Sequence, residues 1–251
     1  MKLSSIITLV AAGSMAASCY GAGALGGEED DSRKFNFGIR VDYIPFRMFN
    51  TSTATASTLK PIADYTYTGS TKSPKFAFGP IFEMRLSKHL SIGAELSFHH
   101  AAYTQLTQIR SGKKDPNAGT DNRLLATITE NTKATYWDVP ILVRYRGLRD
   151  SGLFKRFYPL AGITYRHVGN VKTSNEFINA DASTDYNEKP AAVAHSSQIG
   201  FTGGIGYRFV DELGIKIIPE IRFTRWMNHT LEGLSYGSSP NQAQAGLGIT
   251  F

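Results

Sequence analysis

Residues 35–46, "FNFGIRVDYIPF", alternate between two kinds of side chain. Odd-numbered positions from Phe35 to Pro45 are apolar, and even-numbered positions from Asn36 to Asp42 are polar or glycine. A period of two predicts a β-strand with one apolar and one polar face. In a water-soluble barrel the apolar face is buried, whereas in a membrane-spanning barrel it contacts lipid and the polar face lines the interior. Which face points inward therefore decides the fold.

The same alternation recurs in eight segments of the chain. They lie at about 35–46, 75–87, 90–102, 134–146, 156–168, 198–210, 214–226 and 241–251. Each segment is long enough for a tilted membrane-spanning strand of about 9–11 residues. After the first two dozen residues the chain contains no long apolar run, which excludes a helical membrane protein. The predicted fold class is all-β: an eight-stranded antiparallel up-and-down transmembrane β-barrel.

The faces opposite the apolar ones carry the charged side chains. The predicted lumenal charge network comprises Arg40, Asp42, Glu83, Arg85, Glu95, Asp138, Arg144, Arg146, Arg166, Arg208, Glu220 and Arg222. Turning each Arg to lipid at the bilayer midplane would cost about 2–4 kcal/mol. Several such groups would exceed the whole stability of a domain, about 5–15 kcal/mol. The charges are therefore expected inside, where opposite signs can pair. A lipocalin-like soluble barrel with the reverse facing is the alternative that periodicity alone leaves open.

The connections between the segments alternate in length. Residues 87–89 and 210–214 are short turns, whereas 47–74, 103–133, 169–197 and 227–240 are long and rich in Ser, Thr, Asn and Asp. Short turns at one end and long polar loops at the other are typical of a bacterial outer-membrane barrel. Loops 47–74, 103–133 and 169–197 are therefore candidate contacts for a surface ligand. Aromatic residues near segment ends are predicted to form interfacial girdles: Tyr43, Tyr103, Tyr136, Trp137, Tyr145, Tyr158, Tyr165, Tyr207 and Trp226.

The first 24 residues have the composition of a secretory signal peptide. Lys2 precedes an apolar run of signal-peptide length, and small residues at 22–24 offer a cleavage site, with 14–16 as an earlier option. Cys19 is the only cysteine, and the residues before it loosely resemble a lipoprotein cleavage box. The expected organisation is a signal peptide at 1–24, a short periplasmic lead-in at 25–34 and the barrel at 35–251. The formal charge of +6 is spread along the chain, so no nucleic-acid partner is expected.

The C-terminal "QAQAGLGITF" ends the last segment on an aromatic residue. Leu247, Ile249 and Phe251 resemble the assembly signal that the outer-membrane barrel-assembly machinery recognises. With "YWDVPILVRYR", residues 136–146, the chain resembles small outer-membrane β-barrel domain proteins of the PorT-like and OmpX/OmpA-like groups over essentially all of 35–251. The resemblance implies insertion in outer-membrane lipid of a Gram-negative bacterium. It specifies architecture far better than activity.

Some barrels of this size are enzymes, and "ELSFHHAAY" contains the weak catalytic candidates. Glu95, Ser97 and His99 share the inward face, where a histidine base could activate a serine. Spacing within one strand does not establish a triad, so these residues are expected to be ordinary polar residues of the lumen. No metal site or cofactor is expected. The sequence favours a non-enzymatic barrel that displays loops for envelope integrity or surface interaction; a narrow solute or ion channel is the alternative, and a rim-sited lipid A deacylase or protease is a further one.

Overall fold

Antiparallel strands account for nearly all of the regular structure in this computed structural model. The structure describes residues 34–45, 48–59, 62–71, 73–111, 124–146, 156–179, 184–189, 194–211, 214–232 and 236–251. The predicted signal peptide, Cys19 and nearly all of the lead-in lie outside the described residues. The strands are β1 (Phe35–Tyr43), β2 (Phe49–Thr51), β3 (Thr53–Leu59), β4 (Ile62–Thr71), β5 (Phe76–Arg85), β6 (Leu90–Glu95), β7 (Ser97–Ser111), β8 (Leu124–Tyr145), β9 (Phe157–Asn179), β10 (Thr184–Lys189), β11 (Ser197–Tyr207), β12 (Phe209–Val210), β13 (Lys216–Trp226), β14 (Tyr236–Ser238) and β15 (Asn241–Thr250).

The strands close into a ring of eight. Its order is β1, β5, β6 continued by β7, β8, β9, β11, β13 and β15, and β15 pairs with β1. The closing ladder runs from Gly38 opposite Thr250 to Tyr43 opposite Ala245. Phe37 and Phe251 extend it by exchanging backbone hydrogen bonds of 2.9 and 3.3 Å. The predicted eight-stranded up-and-down barrel is thus confirmed, and closure leaves the ring without an unpaired edge.

Side-chain exposure settles which face points outward. Phe37, Phe78 and Ile221 are 55%, 58% and 62% exposed, whereas Arg144 and Arg222 are each 2% exposed. The apolar face therefore forms an outer belt and the charged face lines the lumen, as predicted from the cost of placing charge in lipid. None of the described residues forms a helix long and apolar enough to cross a membrane.

Three barrel strands continue far beyond the ring at the end opposite the short turn at 86–89. β8 and β9 have 22 and 23 residues, and β7 has 15. β4 pairs with β7, β3 pairs with β4, and β10 pairs with β9. We call the resulting projection, β3-β4-β7-β8-β9-β10, the outer sheet. The connections 47–74, 103–133 and 169–197, expected as polar loops, are thus largely paired strands, because alternating Thr, Tyr and Ile residues favour extended backbone.

An apolar cap fills the lumen below the outer sheet. β2 and β14 form a separate two-stranded sheet, in which Phe49 pairs with Ser238. The cap is a cluster of buried residues: Ile44, Met48, Phe49, Ala77, Ala101, Tyr103, Ala134, Tyr136, Val168 and Leu231. The girdle assignment was therefore wrong for Tyr103 and Tyr136, and also for Tyr158 and Trp226, which are 2% and 3% exposed. All four occupy lumen-facing positions of their strands. Tyr43, Trp137, Tyr145 and Tyr165 do face outward, each about 40% exposed.

Candidate functional site

The centre of the lumen is an ion cluster built from four strands. Arg40 and Asp42 are two residues apart on β1, and Glu220 and Arg222 are two apart on β13, so both members of each pair face inward. Glu95 comes from β6 and Arg144 from β8. Together these six residues, the central ion cluster, bring three guanidinium groups against three carboxylates.

Glu220 is the most heavily bound group in this cluster. Its carboxylate accepts from Arg40 Nη1 at 2.5 Å, Arg144 Nε at 3.1 Å and Arg222 Nε at 2.8 Å. The Tyr158 hydroxyl donates to it at 2.5 Å. The Glu220 side chain is 0% exposed. A buried carboxylate persists only when it is paired and hydrogen-bonded, and these four donors meet that requirement.

Glu95 and Asp42 complete the pairing. Arg222 binds both oxygens of Glu95, each at 2.6 Å, and Arg144 Nη2 donates to Glu95 at 2.7 Å. Arg40 Nε lies 2.8 and 2.9 Å from the two oxygens of Asp42. Bidentate arginine–carboxylate contacts fix geometry as well as charge. The cluster therefore ties together β1, β6, β8 and β13 across the lumen.

Glycines provide the space that the central ion cluster occupies. A methyl group on Gly93 would overlap Arg144 Nη1, and one on Gly246 would overlap Asp42 and Arg40. An eight-stranded barrel has an interior only just wide enough for side chains. Small residues on the inner face are thus a condition for packing three arginines at one level.

A second group of charges lies toward the short-turn end. Glu83 pairs with Arg146, and Arg144 Nη1 is 3.9 Å from Glu83. Arg208 is buried at this end, and Lys216 donates to Asn36 at 2.7 Å. Arg85, also assigned to the lumenal network, lies at the end of β5, is partly exposed and donates to the Ser87 carbonyl at 3.1 Å. Eleven of the twelve charged residues named from the sequence thus lie inside the ring, and Arg85 lies at its rim.

A third group lies between the central ion cluster and the cap. Arg166 binds Asp138 with two hydrogen bonds of 2.6 and 2.7 Å and donates to Gln242 at 2.6 Å. Its guanidinium carbon is 3.9 Å from the centroid of the Trp226 ring. This contact combines ion pairing with a cation–π interaction. Trp226 therefore acts as a lumenal support for Arg166.

A small polar cavity separates the Arg166 group from the central ion cluster. Its wall includes the hydroxyl row Thr164, Thr202 and Thr224, joined by contacts of 2.6 and 2.8 Å. Beyond Arg166, the cap closes the lumen toward the outer sheet, and Tyr136 contacts Thr230 through their hydroxyls at 3.0 Å. Along the described strands the lumen is thus occupied at successive levels by ion pairs and then by apolar side chains.

The catalytic candidates do not form a hydrogen-bonded triad. Glu95 is held by Arg144 and Arg222. Ser97 Oγ and both ring nitrogens of His99 are buried without a hydrogen-bond partner among the described residues. His99 Nδ1 is 3.9 Å from Asp138, whose oxygens are bound by Arg166. Within the part of the chain that the structure describes, no three His, Cys, Asp or Glu residues are placed to hold a metal ion.

Sequence reasoning missed the cap and the outer sheet. The sequence did contain a signal for the inward-facing aromatic residues. Tyr136 and Trp226 are each two residues from a lumenal neighbour, Asp138 and Thr224, and residues two apart on a strand share one face. The signal for the outer sheet was alternation in 53–58 and 64–68, where Tyr65 and Tyr67 share one face with ring centroids 6.4 Å apart. The outer sheet extends what the protein presents outside the membrane belt, and the buried cap closes the lumen beneath it.

The family model described as "outer membrane protein beta-barrel domain" matches residues 35–232. No curated protein sequence matches. Among solved structures, the attachment invasion locus protein Ail of Yersinia pestis is 11% identical, with 87% of this chain and 100% of that chain covered and a TM-score of 0.33. OprG from Pseudomonas aeruginosa is 12% identical, with 86% and 95% covered and a TM-score of 0.40. Neisserial surface protein A is 10% identical, with 87% and 96% covered and a TM-score of 0.29.

Likenesses at these identities and TM-scores say nothing of ligands or activity. The family match spans most of the chain and all but the last strand of the ring. It agrees with the closed ring, the apolar belt and the charged lumen. The chain belongs to the outer membrane protein beta-barrel domain family and is a protein of the bacterial outer membrane.

Proposed function

We propose that the protein is a non-enzymatic outer-membrane barrel that presents the outer sheet at the cell surface, where it serves surface interaction or envelope integrity. The observation that supports this most is the contrast between the filled lumen and the extended outer sheet. The lumen is filled by ion pairs and the apolar cap, whereas the outer sheet carries its strands well past the ring. Binding residues are most often found on segments positioned by a rigid scaffold, and here the barrel is that scaffold.

The occupied lumen argues against a steady channel. A solute would have to separate the Arg166–Asp138 pair and then the central ion cluster, whose contacts are 2.5–3.1 Å. Breaking a buried pair costs about 3–5 kcal/mol, so open states would be rare. Purified protein in planar bilayers should therefore be silent. Steady single-channel conductance would favour the narrow solute or ion channel instead.

The same geometry argues against hydrolysis at His99. A general base needs a path to its nucleophile and an orienting group, and neither ring nitrogen of His99 makes a hydrogen bond to another described residue. Cells with wild-type protein or with His99→Ala should contain the same lipid A species by mass spectrometry and should cleave surface peptides equally. A lipid A or peptide product that disappears with His99→Ala would support a deacylase or protease.

The surface role is tested by shortening the outer sheet and leaving the ring intact. One variant replaces residues 53–70, the β3–β4 hairpin, with a short turn, and a second shortens 173–188. Both should retain heat-modifiable migration, because neither change removes a ring ladder. If the surface role is correct, both lose adhesion of whole cells to the ligand-bearing surface that wild-type cells bind. If only the barrel matters for envelope integrity, both restore detergent resistance to cells lacking the protein.

The C-terminal strand supports a further part of the proposal, recognition by the barrel-assembly machinery. Leu247, Ile249 and Phe251 alternate along the outer face of β15, and Phe251 is 61% exposed. An outward-facing terminal aromatic residue is open to another protein before the ring closes. This contact belongs to biogenesis and not to the mature role.

A further inference from the structure

Two lysines stand directly opposite each other on the outside of the barrel, above the apolar belt. Lys133 on β8 pairs in register with Lys172 on β9, and both side chains are exposed. Like charges directly opposite across two strands are destabilising. Neither lysine has an ion-pair partner among the residues that the structure describes. The two ammonium groups therefore repel each other without a neighbouring carboxylate to offset the repulsion in the described ion pairs.

A β-bulge creates this pair. Thr135 pairs with Gly169, but two residues earlier Lys133 pairs with Lys172, so β9 contains one extra residue. Asn170 takes a left-handed backbone conformation there, with φ of 49°, which Asn tolerates better than most residues. The bulge lets Val171 pack against the cap. In unbroken register Val171 would face Lys133, so the bulge is what places Lys172 there.

The space around the two lysines is open, and two histidines lie on its membrane side. Ala102 pairs with Lys133 on the other side, and a methyl group on Gly169 would have only one atom within 4 Å. His100 on β7 lies two residues nearer the membrane than Ala102. His167 on β9 pairs with Trp137, four residues nearer the membrane than Lys133, and both histidines are exposed. Glu176, an exposed carboxylate on this face, lies on the side away from the membrane. The membrane side of the lysine pair therefore presents two imidazole groups that can donate hydrogen bonds to an anion.

The height of the pair matches a lipid headgroup. Lys133 is four residues from Trp137, the outward aromatic residue at the top of the apolar belt, which is about 13 Å along the strand and about 10 Å in height after tilt. Headgroups occupy a layer of several ångströms above the hydrocarbon. Lysine side chains of this length can reach down to that layer. Phe98 and Trp137 below would contact the acyl chains.

We propose that Lys133 and Lys172, with His100 and His167 beneath them, form a binding site for the phosphate of an outer-leaflet lipid headgroup. The phosphate bridges the two ammonium groups and cancels their repulsion. The lipid's acyl chains lie on the aromatic surface of β7, β8 and β9. This site depends on the outer-membrane location and is independent of any ligand of the outer sheet.

The test uses the position of the two tryptophans. Trp137 is 39% exposed below the site, whereas Trp226 is 3% exposed inside the lumen, so a quencher in lipid reports on Trp137. The full chain is placed in phosphatidylcholine nanodiscs, and phosphatidic acid with brominated acyl chains is added as the phosphomonoester probe. We expect stronger quenching by brominated phosphatidic acid than by brominated phosphatidylcholine at the same fraction.

Five variants decide what causes the preference. Lys133→Gln and Lys172→Gln should each weaken phosphatidic acid binding by about fivefold, and the pair by about 30-fold. The double Lys133→Arg, Lys172→Arg variant should retain binding, since it keeps both charges. Lys88→Gln, at an exposed position in the turn at the opposite end of the barrel, is the matched control and should bind like wild type. All variants should keep heat-modifiable migration.

Two outcomes overturn the proposal. One is equal quenching in the double Gln variant, the Lys88→Gln control and the wild type. The other is competition by inorganic phosphate at the same concentration as phosphatidic acid, which would make this a site for free phosphate. Unchanged cell adhesion in the double Gln variant would leave the lipid site standing and separate it from the surface role.

Discussion

Replacing Glu220 by glutamine should weaken the barrel more than any other single isosteric change in the lumen. The carboxylate accepts from Arg40, Arg144, Arg222 and Tyr158 at 2.5–3.1 Å and is 0% exposed. Glu220→Gln leaves three guanidinium groups against the two remaining carboxylates of the cluster, Glu95 and Asp42. Removing one member of a buried ion pair costs about 3–5 kcal/mol. Because the amide oxygen still accepts one hydrogen bond, we expect a loss of about 3 kcal/mol in the free energy of unfolding.

The assay is reversible denaturant unfolding of the reconstituted barrel, followed by tryptophan fluorescence. Asp64→Asn is the control, since Asp64 makes an exposed hydrogen bond to Ser57 and should change the free energy by less than about 0.5 kcal/mol. Adding Arg144→Met to Glu220→Gln removes the excess cation, so the double variant should lose about 1–3 kcal/mol less than the sum of the two single changes. Equal stability of Glu220→Gln and Asp64→Asn would falsify the role assigned to the cluster.

Three further changes test other parts of the barrel. Gly246→Val should destabilise the fold by about 1–3 kcal/mol through overlap with Arg40 and Asp42, whereas Ala245→Val, facing lipid, should be tolerated; the same unfolding assay compares them. Ile221→Arg, at the middle of β13 and 62% exposed on the belt, should cost about 2–4 kcal/mol in bilayers, and a cost near zero would contradict the lipid-facing assignment. Deleting Phe251 should lower the yield of heat-modifiable barrel in cells, yet leave refolding in detergent largely intact; equal losses in both would point to folding stability and away from assembly recognition.

Alternation was enough to predict the ring because a period of two fixes the face of every residue in a strand. Alternation puts Arg40, Glu95, Arg144 and Arg222 on the polar faces of their strands, and the cost of charge in lipid predicts that these faces point inward. All four residues are buried. Which charges meet depends on shear between strands, which no single strand encodes. The contact between Arg144 and Glu220, 76 residues apart, could therefore not be predicted.

The girdle prediction was wrong for several aromatic residues for a different reason. Tyr136 and Trp226 were placed in a girdle because they lie near segment ends, although their parity points inward. Strand parity predicts the facing of these residues better than their nearness to a segment end does. The cap itself depends on Phe49 and Leu231, which lie in connections without sustained periodicity. Only the tertiary fold brings these two residues into the same cluster.

The length of β8 and β9 determines how far above the membrane another molecule can contact this protein. Leu124 is 13 residues from Trp137 along β8, which is about 44 Å of strand and roughly 30–35 Å of height after tilt. A surface molecule could therefore meet the hairpin tips while its own body remained clear of the sugars and phosphates that coat the bilayer. A short-looped barrel of the same diameter would be hidden beneath that layer, so in this chain strand extension takes the place of a separate stalk.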